Sequence, residues 1–423
     1  MKPNLVDTMI PAYVKNFSCA AEKCPDHCCH SWNVSVDKKS FKALKKNSHV
    51  IIKQLANDHL KLTRTTENEW GLINMKSDGN CPFLDEQSLC EIHKNCGHEA
   101  LSQTCQSYPR AYFWFGEQVE SSLSLSCPSA AQELLFNPSA MMFDVKQQAS
   151  HKLNNGKFAG YLSNQLPAWM PILRDACFGI ILYDQIPLEE RLFSLGMLLK
   201  QVGQHLDDIE RLQQLIQSVE EMITDGSFSA MYQKLPISHE VKWLMFTAQD
   251  KKLVNETKML KNGEQAKLST SDQRFDDCRQ LMIQLFEQRM ANVTQESEQV
   301  TVFSQILSDA KPYLDNYFKE NQHVLVNYFL YYLYHNQFMF NQNKSPFEFF
   351  TVMSVDFFVL KSYLSAIALT QEGLTNEWLA KLFQSYARRR QHKHDFVKNM
   401  EEQLKANNIQ SAGAILGLLK ITD

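Results

Sequence analysis

Glycine is scarce in this chain and nowhere arranged as G-x-G, so neither a dinucleotide-binding turn nor a P-loop can be drawn. Basic charge in excess is missing as well. The formal net charge is −4 at pH 7, which leaves no global field to draw the molecule onto nucleic acid or anionic lipid. The opening MKPNLVDTMIPAYVKNFSC has no apolar run between a basic start and a small-residue cleavage site, so no secretory leader is expected. No uninterrupted apolar stretch reads as long enough to span a bilayer. These absences lead to the expectation of a cytoplasmic protein with neither a nucleic-acid nor a membrane partner.

What is present is thiol, unevenly spread. Cysteines 19, 24, 28, 29, 81, 90, 96, 105 and 127 crowd the first third, and only Cys177 and Cys278 follow. A chain of 423 residues that is 44% hydrophobic can build its core without disulfides. In a reducing compartment, clustered thiols then point to metal or redox chemistry. The same asymmetry divides the chain into a cysteine-rich module over 1–140 and a helical domain over 141–423. Within the module, Asp85-Glu86-Gln87-Ser88 reads as a hairpin turn and Gly116-Glu117 as a second. Asp37 reads as the cap of a helix in DKKSFKALKKN, and another helix is expected through HEALSQTCQSY. Beyond, apolar residues recur at three-and-four intervals through segments such as LEERLFSLGMLLKQVGQHLDDIERL. The expected fold is mainly α: a small cysteine-rich α+β metal-binding module with short hairpins, followed by a larger all-helical domain.

The thiol spacings are C-x4-C-x3-C-C, then C-x8-C, then isolated positions, and no C-x2-C occurs. A zinc ribbon presents two such C-x2-C knuckles, whereas an iron–sulfur cluster accepts ligands from dispersed loops. Soft thiolates suit zinc, copper(I) and iron–sulfur centres alike, so all three stay open on spacing alone. Cys177 and Cys278, alone on helical segments, read as small buried apolar residues, and Cys96 leans the same way.

Phe17-Ser-Cys19, Cys24-Pro-Asp-His-Cys28-Cys29-His-Ser-Trp32 with Asp37 following, Cys81-Pro-Phe-Leu-Asp85, Leu89-Cys90-Glu-Ile92, Thr104-Cys105-Gln-Ser-Tyr108-Pro109-Arg110 and Ser124-Leu-Ser-Cys127-Pro128 together resemble the flagellin lysine-N-methylase family. That family's N-terminal part is itself similar to a broader group of zinc- or iron-chelating cysteine-cluster proteins. Weaker echoes follow in Arg191-Leu-Phe-Ser-Leu-Gly196, in Asn327-Tyr328-Phe-Leu-Tyr-Tyr-Leu and in Arg388-Arg-Arg-Gln-His392. The resemblance implies a 4Fe-4S cluster and transfer of a methyl group from S-adenosylmethionine to lysine side chains of flagellin. It also implies the candidate ligands Cys19, Cys24, Cys28, Cys29, Cys81, Cys90, Cys105 and Cys127, leaving Cys96 outside. Eight thiols exceed the four that one cluster takes, so either a second site exists or several are structural.

A protonated lysine has no lone pair to attack a sulfonium methyl, and its reference pKa of about 10.4 must be overcome by desolvation or by a base. Candidate proton acceptors and cofactor contacts in the module are Asp37, Tyr108 and Arg110, with Trp32 as a π wall for a methylated cation. Each has a plainer role open to it: Asp37 as helix cap, Tyr108-Pro109-Arg110 as a buried turn, Trp32 as core. The C-x3-C-x2-C signature of radical S-adenosylmethionine enzymes is only half present, since Ser31 follows Cys24-x3-Cys28. A second reading therefore stands beside the enzyme: a non-catalytic iron–sulfur, zinc or electron-carrier module fused to a helical interaction domain. The basic tract Arg388-Arg389-Arg390 reads as a solvated helix face.

Overall fold

The turn expected at Gly116-Glu117 joins two paired strands, β5 (Arg110–Gly116) and β6 (Gln118–Leu123), and Gly116 sits at φ +66°, where a glycine is unstrained. Around this hairpin the computed structural model builds a sheet with β1 (Leu5–Pro11), β7 (Phe143–Ala149) and β8 (Ala159–Leu162), in the order β7-β1-β6-β5-β8. The structure describes residues 5–30, 33–149, 159–162, 166–254, 270–291, 298–337, 345–392, 396–407 and 409–421. β1 lies parallel to β6 and antiparallel to β7. Just beyond β1, Tyr13 is fully buried; its hydroxyl lies 2.7 Å from Ser122 Oγ and accepts from the Leu123 backbone N–H at 3.0 Å, fastening the N-terminal segment to β6.

A second, smaller sheet has the order β2-β4-β3, formed by β2 (Ser35–Val36), β3 (Leu60–Leu62) and β4 (Gly71–Ile73). The helix Lys38–Lys45 packs Phe41 and Leu44 into a shared core with Val36, Ile52, Ile73 and Phe83. Gly71 is required here by close approach, since a Cβ would come within 2.5 Å of the Phe41 ring and 2.9 Å of the Lys61 carbonyl oxygen. The helix expected through HEALSQTCQSY is broken. A 3-10 turn at His98–Ala100 gives way at Leu101, and Ser102 caps a fresh helix, Gln103–Ser107.

Both sheets belong to one compact unit, Met1–Glu133 with Met142–Ser163 and Asn255–Arg274; a second unit comprises Leu134–Met141, Asn164–Val254 and Phe275–Asp423. Strands β7 and β8 thus carry the first unit past residue 140. The second unit is helical and is organised on Pro346–Thr370, whose 25 residues pack against Leu188–Val202, Gln299–Glu320 and Asn376–His392. Its start is a full capping box: Ser345 Oγ accepts from the Glu348 N–H and Glu348 Oε2 from the Ser345 N–H, with Pro346 in the first turn. By length and composition this helix could cross a membrane, contrary to the expectation from sequence. In the structure 94% of its most apolar window is buried, as in the core helix of a globular protein. Asn327 donates to the carbonyls of Leu134 and Asn137 at 3.0 and 2.8 Å, which ties the short segment Leu134–Met141 into this unit.

The tract Arg388-Arg389-Arg390 is not a solvated face. Arg388 and Arg389 are each 5% exposed, Arg389 reaches the Leu253 carbonyl and Asp276, and Arg390 Nε lies 2.7 Å from the fully buried Asp356 carboxylate. The helix Asn376–His392 turns its arginines inward because acidic groups and carbonyls wait there. The architecture as a whole is mainly α, a small α+β unit with short strands followed by a larger all-helical one, as the sequence leads one to expect.

Candidate metal centre

Cys24 closes the short 3-10 turn Ala21–Lys23, and Pro25 leads the chain into the loop that carries Asp26 and His30. Asp26 Oδ1 and His30 Nε2, four residues apart and nearly inaccessible, lie 3.1 Å from each other. His30 bridges Asn80, and the Cys29 carbonyl accepts from the Cys81 N–H at 2.8 Å, so the Cys28-Cys29 loop is hydrogen-bonded onto the strand-like entry of Cys81.

From Cys81 the chain makes the expected hairpin. Asp85 Oδ1 accepts from the N–H groups of Gln87 and Leu89, Ser88 sits at φ +60°, and a Leu84–Cys90 bridge closes the turn. Cys90 then starts the helix Glu91–Cys96. Cys105 lies on the helix Gln103–Ser107, and its N–H donates to the capping Ser102 Oγ at 3.3 Å. Cys127, buried, follows β6 immediately before the helix Pro128–Phe136, its N–H bonded to the Ser124 carbonyl at 3.2 Å.

No disulfide is formed among the described residues, which include all eleven cysteines. Eight of them lie within reach of one another's charge. A hydrogen bond with Cys28, then burial, then the charges of Cys28, Cys81 and Cys105 push Cys29 far above the ordinary thiol range. Burial, followed by neighbouring thiols, raises Cys81, Cys105 and Cys127 to about 12. Cys90 and Cys24 rise for the same reason, Cys24 with Cys19 among its neighbours. Without a cation such a set resists ionising; thiolates are the form a soft metal binds, so the donor chemistry fits a thiophilic centre. Among the described residues no group of three or more His, Cys, Asp or Glu side chains is drawn to the spacing of a single-ion site. The convergence is of loops and charges.

Cys96 stands apart: it exchanges hydrogen bonds with Asn47 at the surface. Cys177 and Cys278 are buried in the helical unit, as small apolar residues are. Asp37 caps the helix Lys38–Lys45 through Oδ1 to the Ser40 N–H at 2.9 Å. Its Oδ2 accepts from the Gln103 N–H at 3.1 Å, so one carboxylate anchors both that helix and the one bearing Cys105. Burial works to raise its pKa, but these donors outweigh burial and hold it below the usual carboxylate range. Tyr108 OH lies 2.9 Å from Ser126 Oγ, itself 2.7 Å from Ser124 Oγ, a chain of hydroxyls beside Cys127. Arg110 is exposed, with its guanidinium 5.1 Å above the Phe17 ring. Trp32 lies outside the described residues. Sequence reasoning passed over Asp26 and His30; their i, i+4 spacing inside C-P-D-H-C-C-H was the available signal.

Residues 18–128 match CxxCxxCC, described as a zinc- or iron-chelating domain. Two proteins called lysine-N-methylase, from Salmonella choleraesuis and Salmonella typhimurium, are 35% identical over 186 residues, 44% of this chain and 45% of theirs. The chain thus spans about half the length of these curated relatives. The flagellar biosynthetic protein FliU of Salmonella muenchen is 40% identical over 141 residues, 33% of this chain and 83% of that one. No solved structure matches. Residues 174–418, most of the helical unit and more than half of the chain, match the FliB lysine N-methylase C-terminal domain, and the protein belongs to that family.

Proposed function

We propose that this protein is a cytoplasmic lysine N-methyltransferase that carries the methyl group of S-adenosylmethionine to side-chain amines of flagellin, with a 4Fe-4S cluster held by the cysteine module. The observation that carries this reading is the match of residues 174–418 to the FliB lysine N-methylase C-terminal domain, in a chain whose other unit gathers eight thiols.

In the transfer, the sulfonium S–CH3 bond breaks as the N–CH3 bond forms, S-adenosylhomocysteine leaves, and the lysine nitrogen sheds a proton before or during attack. The cluster, when bound, supplies an inorganic centre of tunable charge; the thiolates that would hold it come from Cys19, Cys24, Cys28, Cys29, Cys81, Cys90, Cys105 and Cys127. The remaining work falls to side chains of this chain. The Tyr108–Ser126–Ser124 hydroxyl series offers a path along which a proton leaves the amine. Arg110, exposed at the end of the same segment, offers a cation for the carboxylate of the methyl donor or of an acidic patch on the protein substrate. Asp37 contributes by position, because its oxygens already hold two helix starts. Trp32 is assigned the wall of the donor site on its place in the motif.

The test is direct. Anaerobically purified full-length protein is incubated with flagellin and methyl-labelled S-adenosylmethionine, and label is sought on lysine. Brown protein with label on flagellin lysines is the expected result. Metal-loaded protein that transfers no label would remove the enzymatic reading and leave the metal-carrier one.

A further inference from the structure

All the residues lining a cavity of about 670 Å³ belong to the helical unit, and the volume is that of a small-ligand pocket. The start of the helix Leu188–Val202 gives it Glu189 and Glu190, and the helix Ser227–Gln233 gives it Tyr232. Lys361, buried on the central helix, donates to Glu189 Oε1 at 2.8 Å. Burial works to raise the Glu189 pKa, but the charge and hydrogen bond of Lys361 outweigh it and hold the carboxyl below its ordinary range.

Glu190 is placed differently. Ser229 Oγ donates to its Oε2, and among the described residues no cation lies within ion-pair distance of it. Among the same residues, neither Glu190 Oε1 nor the Tyr232 hydroxyl has a hydrogen-bond partner, although both side chains line the cavity. Burial, then the charges of Glu189 and Glu190, raise the Tyr232 pKa, which places its hydroxyl within reach of both carboxylates. Phe193 meets the Tyr232 ring edge-on, with centroids 5.8 Å apart.

The cations around the cavity are engaged elsewhere. Arg191 gives Nε and Nη1 to the carbonyls of Ile186 and Ile181, and Lys420 donates to the Gln233 carbonyl. Lys311 pairs with Asp315 where both are exposed, and Lys319 is exposed too. A half-buried carboxylate without a countercharge, beside open volume, is a place for an incoming cation. A primary ammonium suits it: its N–H groups spread tetrahedrally towards Glu189, Glu190 and Tyr232, while a methylene stem lies along Leu314, Phe318 and Leu325.

We infer that this cavity is a recognition pocket for a lysine side chain of the protein substrate, held in its charged form and distinct from the lysine that accepts the methyl group. Carboxylates favour the protonated amine, whose lone pair is occupied, so the pocket grips a lysine without activating it. The inference rests on the proposed action on a lysine-bearing protein and adds where that protein is held.

For the test, Nα-acetyl-lysine N-methylamide is titrated against the full-length protein by saturation-transfer NMR, beside its Nε-acetylated analogue. The charged probe binds and the neutral one does not. Glu190→Gln keeps an oxygen for Ser229, and Tyr232→Phe keeps the ring on Phe193. Each weakens the charged probe about tenfold with far-ultraviolet dichroism unchanged, and the exposed control Glu377→Gln binds it as wild type does. With flagellin as methyl acceptor, Glu190→Gln raises KM about tenfold and moves kcat by less than about twofold. Equal binding of the two probes, undiminished binding by both variants, or a fall in kcat at unchanged KM overturns the pocket. So does failure of folded wild type to bind the charged probe, even if it labels flagellin. Unlabelled flagellin with the charged probe still bound through Glu190 removes methyl transfer and upholds the pocket.

Discussion

At Asp37 a single carboxylate receives backbone donors from two helices whose starts are separated by more than sixty residues of chain. Replacing it with Asn keeps one carbonyl oxygen and gives up the charge, so either the Ser40 or the Gln103 N–H loses its acceptor. The expected cost is about 1–2 kcal/mol at pH 7, read as a lower urea midpoint with an unchanged slope. Because the folded-state pKa is depressed, this stabilisation is complete above the ordinary carboxylate pKa and fades as pH falls through the lower folded value. The gap between wild type and Asp37→Asn should therefore narrow in acid; a gap constant from neutral to strongly acidic pH would show that the charge is not what stabilises. Tyr108 poses the complementary question. Tyr108→Phe removes the hydroxyl and leaves the ring, so a proton path through Ser126 predicts a fall of about 10²-fold in the rate of transfer with little change in melting temperature. A variant with wild-type turnover removes Tyr108 from the chemistry. Such roles are only half legible in sequence. Aspartate before a helix advertises a cap through its spacing, but the second donor, Gln103 N–H, is a tertiary contact that no local pattern encodes.

Elements were legible where local chemistry was distinctive. The Asp85–Ser88 turn shows in its Asx-type residues, the Gly116 hairpin in its glycine, and the long helices in their apolar spacing. Strand β7 hid because it lies at a sheet edge with Phe143 and Val145 37% and 61% exposed, so burial imposes little pattern on it. The inward turn of Arg388–Arg390 hid for the opposite reason: basic residues are ordinarily solvated, and only the assembled core shows their partners. Asp356, fully buried on the central helix, accepts from Tyr332 OH at 2.8 Å and Tyr386 OH at 2.6 Å, and Arg390 supplies the countercharge. Arg390→Met leaves that carboxylate in the core without a cation and should destabilise the protein by roughly 3–5 kcal/mol. Adding Asp356→Leu should restore part of the loss, since removing both charges avoids the unpaired one. Denaturation of the single and double variants decides this; an Arg390→Met protein as stable as wild type would mean that the tyrosine hydroxyls alone sustain the charge.

The two units have cores of different kinds. The helical unit is built on apolar helix packing, with Pro346–Thr370 buried along almost its whole length, and holds no member of the eight-thiol set. In the region from Cys29 to Cys105 the strands are two or three residues long and the α-helices five to ten, packed around an apolar core, so backbone pairing reaches few of the loops that carry thiols. Under the proposed function, ligation of thiolates brought from separate loops would add cross-links that backbone pairing does not supply, and metal binding would be part of folding. Stripping metal anaerobically should accordingly raise amide hydrogen exchange across residues 29–105, strongest in the Cys81–Cys90 hairpin and the helix Gln103–Ser107, and leave the central helix Pro346–Thr370 as protected as before. Uniform loosening of both units would mean that their stabilities are joined. Unchanged exchange in the hairpin would mean that the thiol loops hold their shape without metal, and the cysteines would then have to be explained by chemistry alone.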